Sequence, residues 1–132
     1  MKDQVTSFEQ SKRLIEMGVP AEKASMVWEM DEDCARLKIW NTDKETRRVL
    51  HNKYPNYYVP AFTVVDLLAV LPPKISWQDP SDGNFRMRRY MGENGIEWVV
   101  DYDRFIANDV SIINALVETI ILLVSTKHEL NL

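Results

Sequence analysis

Cysteine occurs once in the 132 residues, at Cys34. A single thiol rules out an intramolecular disulfide and any cluster of cysteine metal ligands, and it suits a reducing compartment. Glycine is almost as scarce. Gly18, Gly83, Gly92 and Gly95 are the whole supply, and each reads as a helix cap or a turn, so a glycine-rich phosphate loop is not available. The two histidines, His51 and His128, lie far apart in sequence and at no metal-ligand spacing. No metal, cofactor or catalytic constellation is expected. Cys34 lacks the local signature of a nucleophile, and "MDEDC" lacks the alternating ligands, turn glycine and distal glutamate of a calcium loop.

Positive charge is also short. Sixteen Lys/Arg stand against twenty Asp/Glu, giving a formal net charge of −4, so there is no global basic field to gather nucleic acid. Residues 1–34 carry the whole imbalance, with four basic and eight acidic residues, leaving twelve of each in the remainder. Long apolar runs are missing as well. The most apolar stretch, Ile112 to Val124, is interrupted by Asn114, Glu118 and Thr119 and is too short to span a bilayer. The opening MKDQVTSFEQ has no apolar h-region, so a secretory leader is not expected. A cytoplasmic protein without membrane contact is the reading.

What is present is globular composition, 45% hydrophobic and 27% charged, in a length suited to one domain over residues 1–132. Ser7 and Gln10 form a capping box for a helix that starts at Phe8 and stops at Gly18. Pro20 suits the first turn of a second helix, with Ala24, Val27 and Trp28 on one face, so the N-terminus reads as a helical hairpin. In "ARLKIW", Ala35, Leu37 and Ile39 alternate with Arg36, Lys38 and Trp40, a half-buried strand. "NTDKETRRVLHNKYPN" is polar and lacks a period, which predicts a long loop with room for a helical turn. "YYVPAF" is extended because Tyr54 and Val59 each precede proline. Thr63 and Asp66 cap a helix whose stripe is Val64, Leu67, Leu68 and Leu71, ended by Pro72-Pro73.

Asn94-Gly95 is a strong type I′ hairpin signal. A turn centred there sets Met91 opposite Trp98, Arg89 opposite Val100, Arg88 opposite Asp101 and Arg86 opposite Asp103, so that charges pair across the strands. A long helix follows from about Asp109 to near Lys127, with Ile113, Leu116, Val117, Ile120, Leu123 and Val124 facing the core. The expected fold is α+β: an N-terminal helical hairpin, a small antiparallel sheet with a β-hairpin over 85–104, and a long C-terminal helix packed on the sheet.

Residues 11–28, "SKRLIEMGVPAEKASMVW", have the outline of a helix-turn-helix, and Lys12, Arg13 and Lys23 would be its DNA contacts. The acids that follow, Glu29, Asp31, Glu32 and Asp33, oppose a phosphate backbone, so nucleic acid is the second reading. In "FRMRRY" the basic, aromatic character is offset by the cross-strand carboxylates, and the same pairing argues against "DYD" as a general acid-base pair. Two features are candidate partner surfaces, each with burial as the competing reading, the first as cover for the core beneath the following helix and the second as a face covered by the long loop. Tyr54, Tyr57, Tyr58 and Phe62 gather on an extended, proline-braced segment, and Ile121 with Leu122 lie toward the polar side of the last helix.

"SFEQSKRLIEMGVPAEKASMVW", "YYVPAFTVVDLLAVLPPKI" and the hairpin ending "EWVVDYD" resemble a group of small proteins encoded in prophages and mobile elements of gut bacteria. The resemblance runs in order through most of the chain. It departs at Phe62-Thr63, where the group often has Trp-Ser, and at Ala24-Ser25, where it often has Ala-Asp. What it implies is a setting, an intracellular accessory protein of a phage or mobile element; it brings no activity, cofactor or catalytic residue to these positions. The function expected from the sequence is therefore an accessory protein that works through protein contacts, with a homodimer as one form and DNA binding through residues 11–28 as the alternative.

Overall fold

The computed structural model describes residues 4–75, 83–93, 95–102 and 105–132. The first helix, α1 (Phe8–Glu16), opens with the expected capping box: the Gln10 N–H donates to Ser7 Oγ and the Ser7 N–H to Gln10 Oε1. It ends at Gly18, whose φ of +104° is left-handed and strongly favours a residue without Cβ.

The second arm of the predicted helical hairpin does not form. Ala21–Lys23 make one 3-10 turn, and the chain then becomes strand β1 (Met26–Met30). Ala24, Val27 and Trp28 match helical spacing, but β1 is the middle strand of an antiparallel sheet in the order β2-β1-β3, with β2 at Ala35–Ile39 and β3 at Tyr58–Ala61. Val27 belongs to the main core, whereas Met26 and Trp28 belong to a smaller cluster with Val5, Val59 and Ala61. A strand buried on both faces loses the polar half of its alternation, and with it the sequence signal.

Residues 41–56 are a second correction. Instead of a long loop with at most a helical turn they contain the ten-residue helix α2 (Lys44–Lys53), with no fully buried residue. Apolar periodicity is therefore absent, and the helix is held from its ends and one side. Asp43 accepts from the Thr46 N–H at 2.7 Å, and backbone and side-chain bonding from Thr46 holds this exposed carboxyl below its ordinary pKa. Arg47 donates to the Thr42 and Ala24 carbonyls, each at 3.0 Å, fastening the helix to the 3-10 turn.

The extended 58–61 segment and the capped helix after it form as expected. Helix α3 (Val64–Val70) has a full capping box, and Asp66 Oδ2 also accepts from the Ser25 N–H at 2.8 Å and the Ser25 hydroxyl at 2.7 Å. Strands β4 (Lys74–Ile75) and β5 (Gly83–Asn84) pair briefly, and β6 (Arg86–Gly92), β7 (Gly95–Tyr102) and β8 (Phe105–Asp109) form a second three-stranded antiparallel sheet. Helix α4 (Ile112–Ser125), capped by Ser111, packs on β7 and β8 and buries Ile113, Leu116, Val117, Ile120 and Leu123. The architecture is α+β, with the C-terminal helix on the sheet as expected.

The hairpin register differs by a two-residue shift. Gly92 faces Gly95, Met91 faces Ile96, Arg89 faces Trp98, Arg88 faces Val99 and Arg86 faces Asp101. The proposed turn residue Asn94 and the proposed partner Asp103 lie outside the described residues. An even shift keeps every side chain on its predicted face and changes only the partners. The charge pairing thus survives in altered form, with Arg86 Nε 2.9 Å from Asp101 Oδ1.

Candidate functional site

Along the core face of β7, cover falls away toward the hairpin end. Tyr102 and Val100 are fully buried, Trp98 is half-buried, and Ile96 is 53% exposed; opposite it, Met91 is 74% exposed. Helix α4 packs on β8 and β7; Val100 and Tyr102 share the main core with its buried residues while Trp98 only borders that core, so Met87, Met91 and Ile96 continue the apolar face of the core into solvent. Arg89 stands on this same face, its guanidinium 5.4 Å from the Trp98 ring centroid, a cation–π contact that also shields the indole.

The opposite face of this arm is polar and tied across three strands. The Tyr90 hydroxyl donates to Glu97 Oε2 at 2.6 Å, and Asn108 Nδ2 reaches the same oxygen at 3.5 Å. The bond to Glu97 raises the exposed Tyr90 phenol above its ordinary pKa. Asp101 lies farther along, its side chain only 2% exposed and paired with Arg86, as a structural ion pair holds a carboxylate rather than as a free acid-base group. Among the described residues β6 is an edge strand, in the order β6-β7-β8, and is exposed along nearly its whole length.

A second feature is a cleft of about 620 Å³ where the starts of α1 and α4 meet β1. Phe8, Trp28, Met30 and Ile113 form its apolar wall, and Ser7 and Ser111 stand at its rim as helix caps. Gln10 Nε2 donates to Asn114 Oδ1 at 2.8 Å between α1 and α4, beside a more polar cleft of about 500 Å³ lined by Glu9, Arg13, Asp109 and Glu118. Among the described residues no group of three or more His, Cys, Asp or Glu could hold a metal ion. His51 donates through Nδ1 to the Tyr58 carbonyl at 2.9 Å, and Cys34 is exposed beside the β1–β2 turn.

No family model matches the chain, and no curated protein or solved structure is similar to it. Of the predicted partner residues, Tyr54 and Tyr57 are 48% and 43% exposed, and each packs its ring on Tyr58, with centroids 6.2 and 4.7 Å away. Tyr58 is half-buried against the main core. Phe62 is fully buried at the end of β3, so its side chain offers no partner contact. Ile121 and Leu122 are half-buried, and Ile121 packs on the core. The tyrosines and the helix face therefore remain as smaller surfaces than the sequence suggests.

The alternative DNA segment loses its recognition helix, because residues 26–30 are a central strand. Lys12 and Arg13 lie on α1, where the Lys12 ammonium sits 4.6 Å from the Phe8 ring centroid, and Lys23 closes the 3-10 turn. Sequence reasoning missed the arm as a surface. The signal was available: Met87, Met91 and Ile96 fall on the apolar face in either register, but a face that continues the core reads as core until the covering helix is placed.

Proposed function

We propose that this chain is an accessory protein that acts by binding another protein, and that the apolar face of the β6–β7 arm makes the contact. One observation carries this reading: Met87, Met91 and Ile96 extend the core face of the sheet past the reach of α4. Uncovered apolar residues that adjoin one another mark interaction surfaces more often than scattered ones do, and methionine adapts to varied partners. The half-buried Trp98 at the base of the arm, topped by Arg89, adds residue types that dominate binding energy in interfaces. The exposed thiol of Cys34 suits a reducing compartment, and the cytoplasm is the proposed setting.

The test is site-specific photocrosslinking in the cell that encodes the chain, with a photoreactive residue at position 91 and, as control, at position 65. Val65 is as exposed as Met91 but lies on α3, away from the arm. Crosslinks to a discrete protein from position 91 and none from position 65 are expected. Equal labelling from both, or none from 91, would overturn the reading. A crosslink from 91 to a second copy of the chain identifies the partner as itself and predicts a dimer in sedimentation equilibrium.

A further inference from the structure

We propose that the outer edge of β6 accepts an extended acidic segment of a partner protein as a fourth, antiparallel strand. The inference rests on the protein-binding reading above and specifies the partner's chemistry. An edge strand presents a row of unpaired N–H and C=O groups, and β6 is seven residues long, enough to template a strand. Natural edges are blunted by charge, and here the charge is all of one sign: Arg86, Arg88 and Arg89.

Arg86 is engaged with the buried Asp101. Arg88 and Arg89 are consecutive, so their side chains leave opposite faces of the sheet, and neither forms an ion pair with a described carboxylate. An incoming strand meets them with two consecutive acidic residues, one on each face. Met87 and Met91 flank the pair on the apolar face. An antiparallel strand facing residues 91 to 87 in turn therefore has the pattern apolar, any, acidic, acidic, apolar. Opposite charges placed directly across strands stabilise the pair, and like charges oppose it.

The same rule disfavours a second copy of β6 as occupant, since pairing centred on this strand sets Arg89 against Arg89 or Arg88 against Arg88. A nucleic-acid strand is disfavoured by the flanking Glu93 and Glu97 and by the stacking of Arg89 on Trp98.

The experiment measures fluorescence anisotropy of a labelled peptide, Thr-Val-Thr-Glu-Glu-Val-Thr with blocked ends, titrated with the full chain. Saturable binding is expected, weakened about tenfold or more when Gln-Gln replaces Glu-Glu or when the protein carries Arg88→Glu with Arg89→Glu. A peptide with Lys-Lys in place of Glu-Glu should bind that double variant better than the parent protein, a rescue that rules out unfolding as the cause. Absence of saturable binding, equal binding by parent and double variant, or displacement of the peptide by an oligothymidylate would each overturn the proposal. Crosslinking from position 91 reports separately on the arm: its persistence when the peptide fails to bind leaves the protein-binding reading standing and removes only the added strand.

Discussion

Replacing Thr6 by valine keeps the shape of a fully buried side chain and removes one oxygen. That oxygen sits in a closed chain of hydrogen bonds. Thr6 Oγ1 accepts from the Phe62 N–H at 2.9 Å and lies 2.7 Å from Ser11 Oγ. Ser11 gives its only hydroxyl hydrogen to the Ser7 carbonyl at 2.9 Å, so Thr6 must be the donor in the Thr6–Ser11 bond. Valine leaves the buried Phe62 N–H without an acceptor, which costs about 1–3 kcal/mol, and forfeits the bond to Ser11, about 1 kcal/mol more. A total of roughly 2–4 kcal/mol is a large share of the 5–15 kcal/mol that holds a domain of this kind. The midpoint of thermal unfolding should fall by roughly 8–15 °C. Thr6→Ser separates the causes: it keeps both bonds and deletes one buried methyl, for about 1 kcal/mol. Urea unfolding followed by circular dichroism gives the three stabilities. A valine variant as stable as the parent, or a serine variant worse than the valine one, would refute the reasoning.

Asp66→Ala should cost about 2–4 kcal/mol by the same assay, because one carboxylate oxygen caps α3 and anchors Ser25 before β1; Asp66→Asn should recover part of the loss. Tyr102→Phe should cost about 1–3 kcal/mol by removing the hydroxyl that donates to the Pro72 carbonyl at 2.5 Å. Burial also raises the Tyr102 phenol far above its ordinary pKa, so one of the five tyrosines should stay silent in an alkaline absorbance titration until the chain unfolds. The neutral phenol's contribution is complete below the unfolded-state pKa of about 10 and is lost as pH rises toward the folded value. Asp43 runs the other way. Its pKa is lowered in the fold, so its cap on α2 is present above about pH 4 and is lost as pH falls through the folded value. The Thr46 amide proton in NMR spectra should follow that transition.

Where one side chain reports one neighbour, the sequence is read easily. The capping boxes of α1 and α3, the proline-fixed extension before α3 and the stripe of α4 each follow from spacing within a few residues. The errors share a cause, which is that tertiary cover removes or imitates periodicity. Trp28 and Val27 point into different clusters, so β1 lost its alternation and passed for helix. Helix α2 has no fully buried residue and sets only Leu50 against the main core, so its local signs were the Asp43 cap, Glu45 in the first turn and His51 and Lys53 in the last. The hairpin faces were legible while the partners were not, because Arg86 and Arg88 serve Asp101 equally well on a sequence ruler and only the turn decides between them. Phe62 was misplaced for the same reason as the arm: exposure depends on what the rest of the chain lays over a residue.

The separation of neighbouring side chains by β1 has a spectroscopic consequence. Trp28 lies in the small cluster with its indole N–H bonded to the Thr6 carbonyl at 3.0 Å. Trp40 lies in the main core, and its indole N–H has no acceptor among the described residues. Trp98 marks the base of the arm beneath a guanidinium. Three indoles thus occupy three environments that differ in polarity and hydrogen bonding, and single-tryptophan versions of the chain would turn them into separate optical reporters, one for each core and one for the surface where a partner would dock.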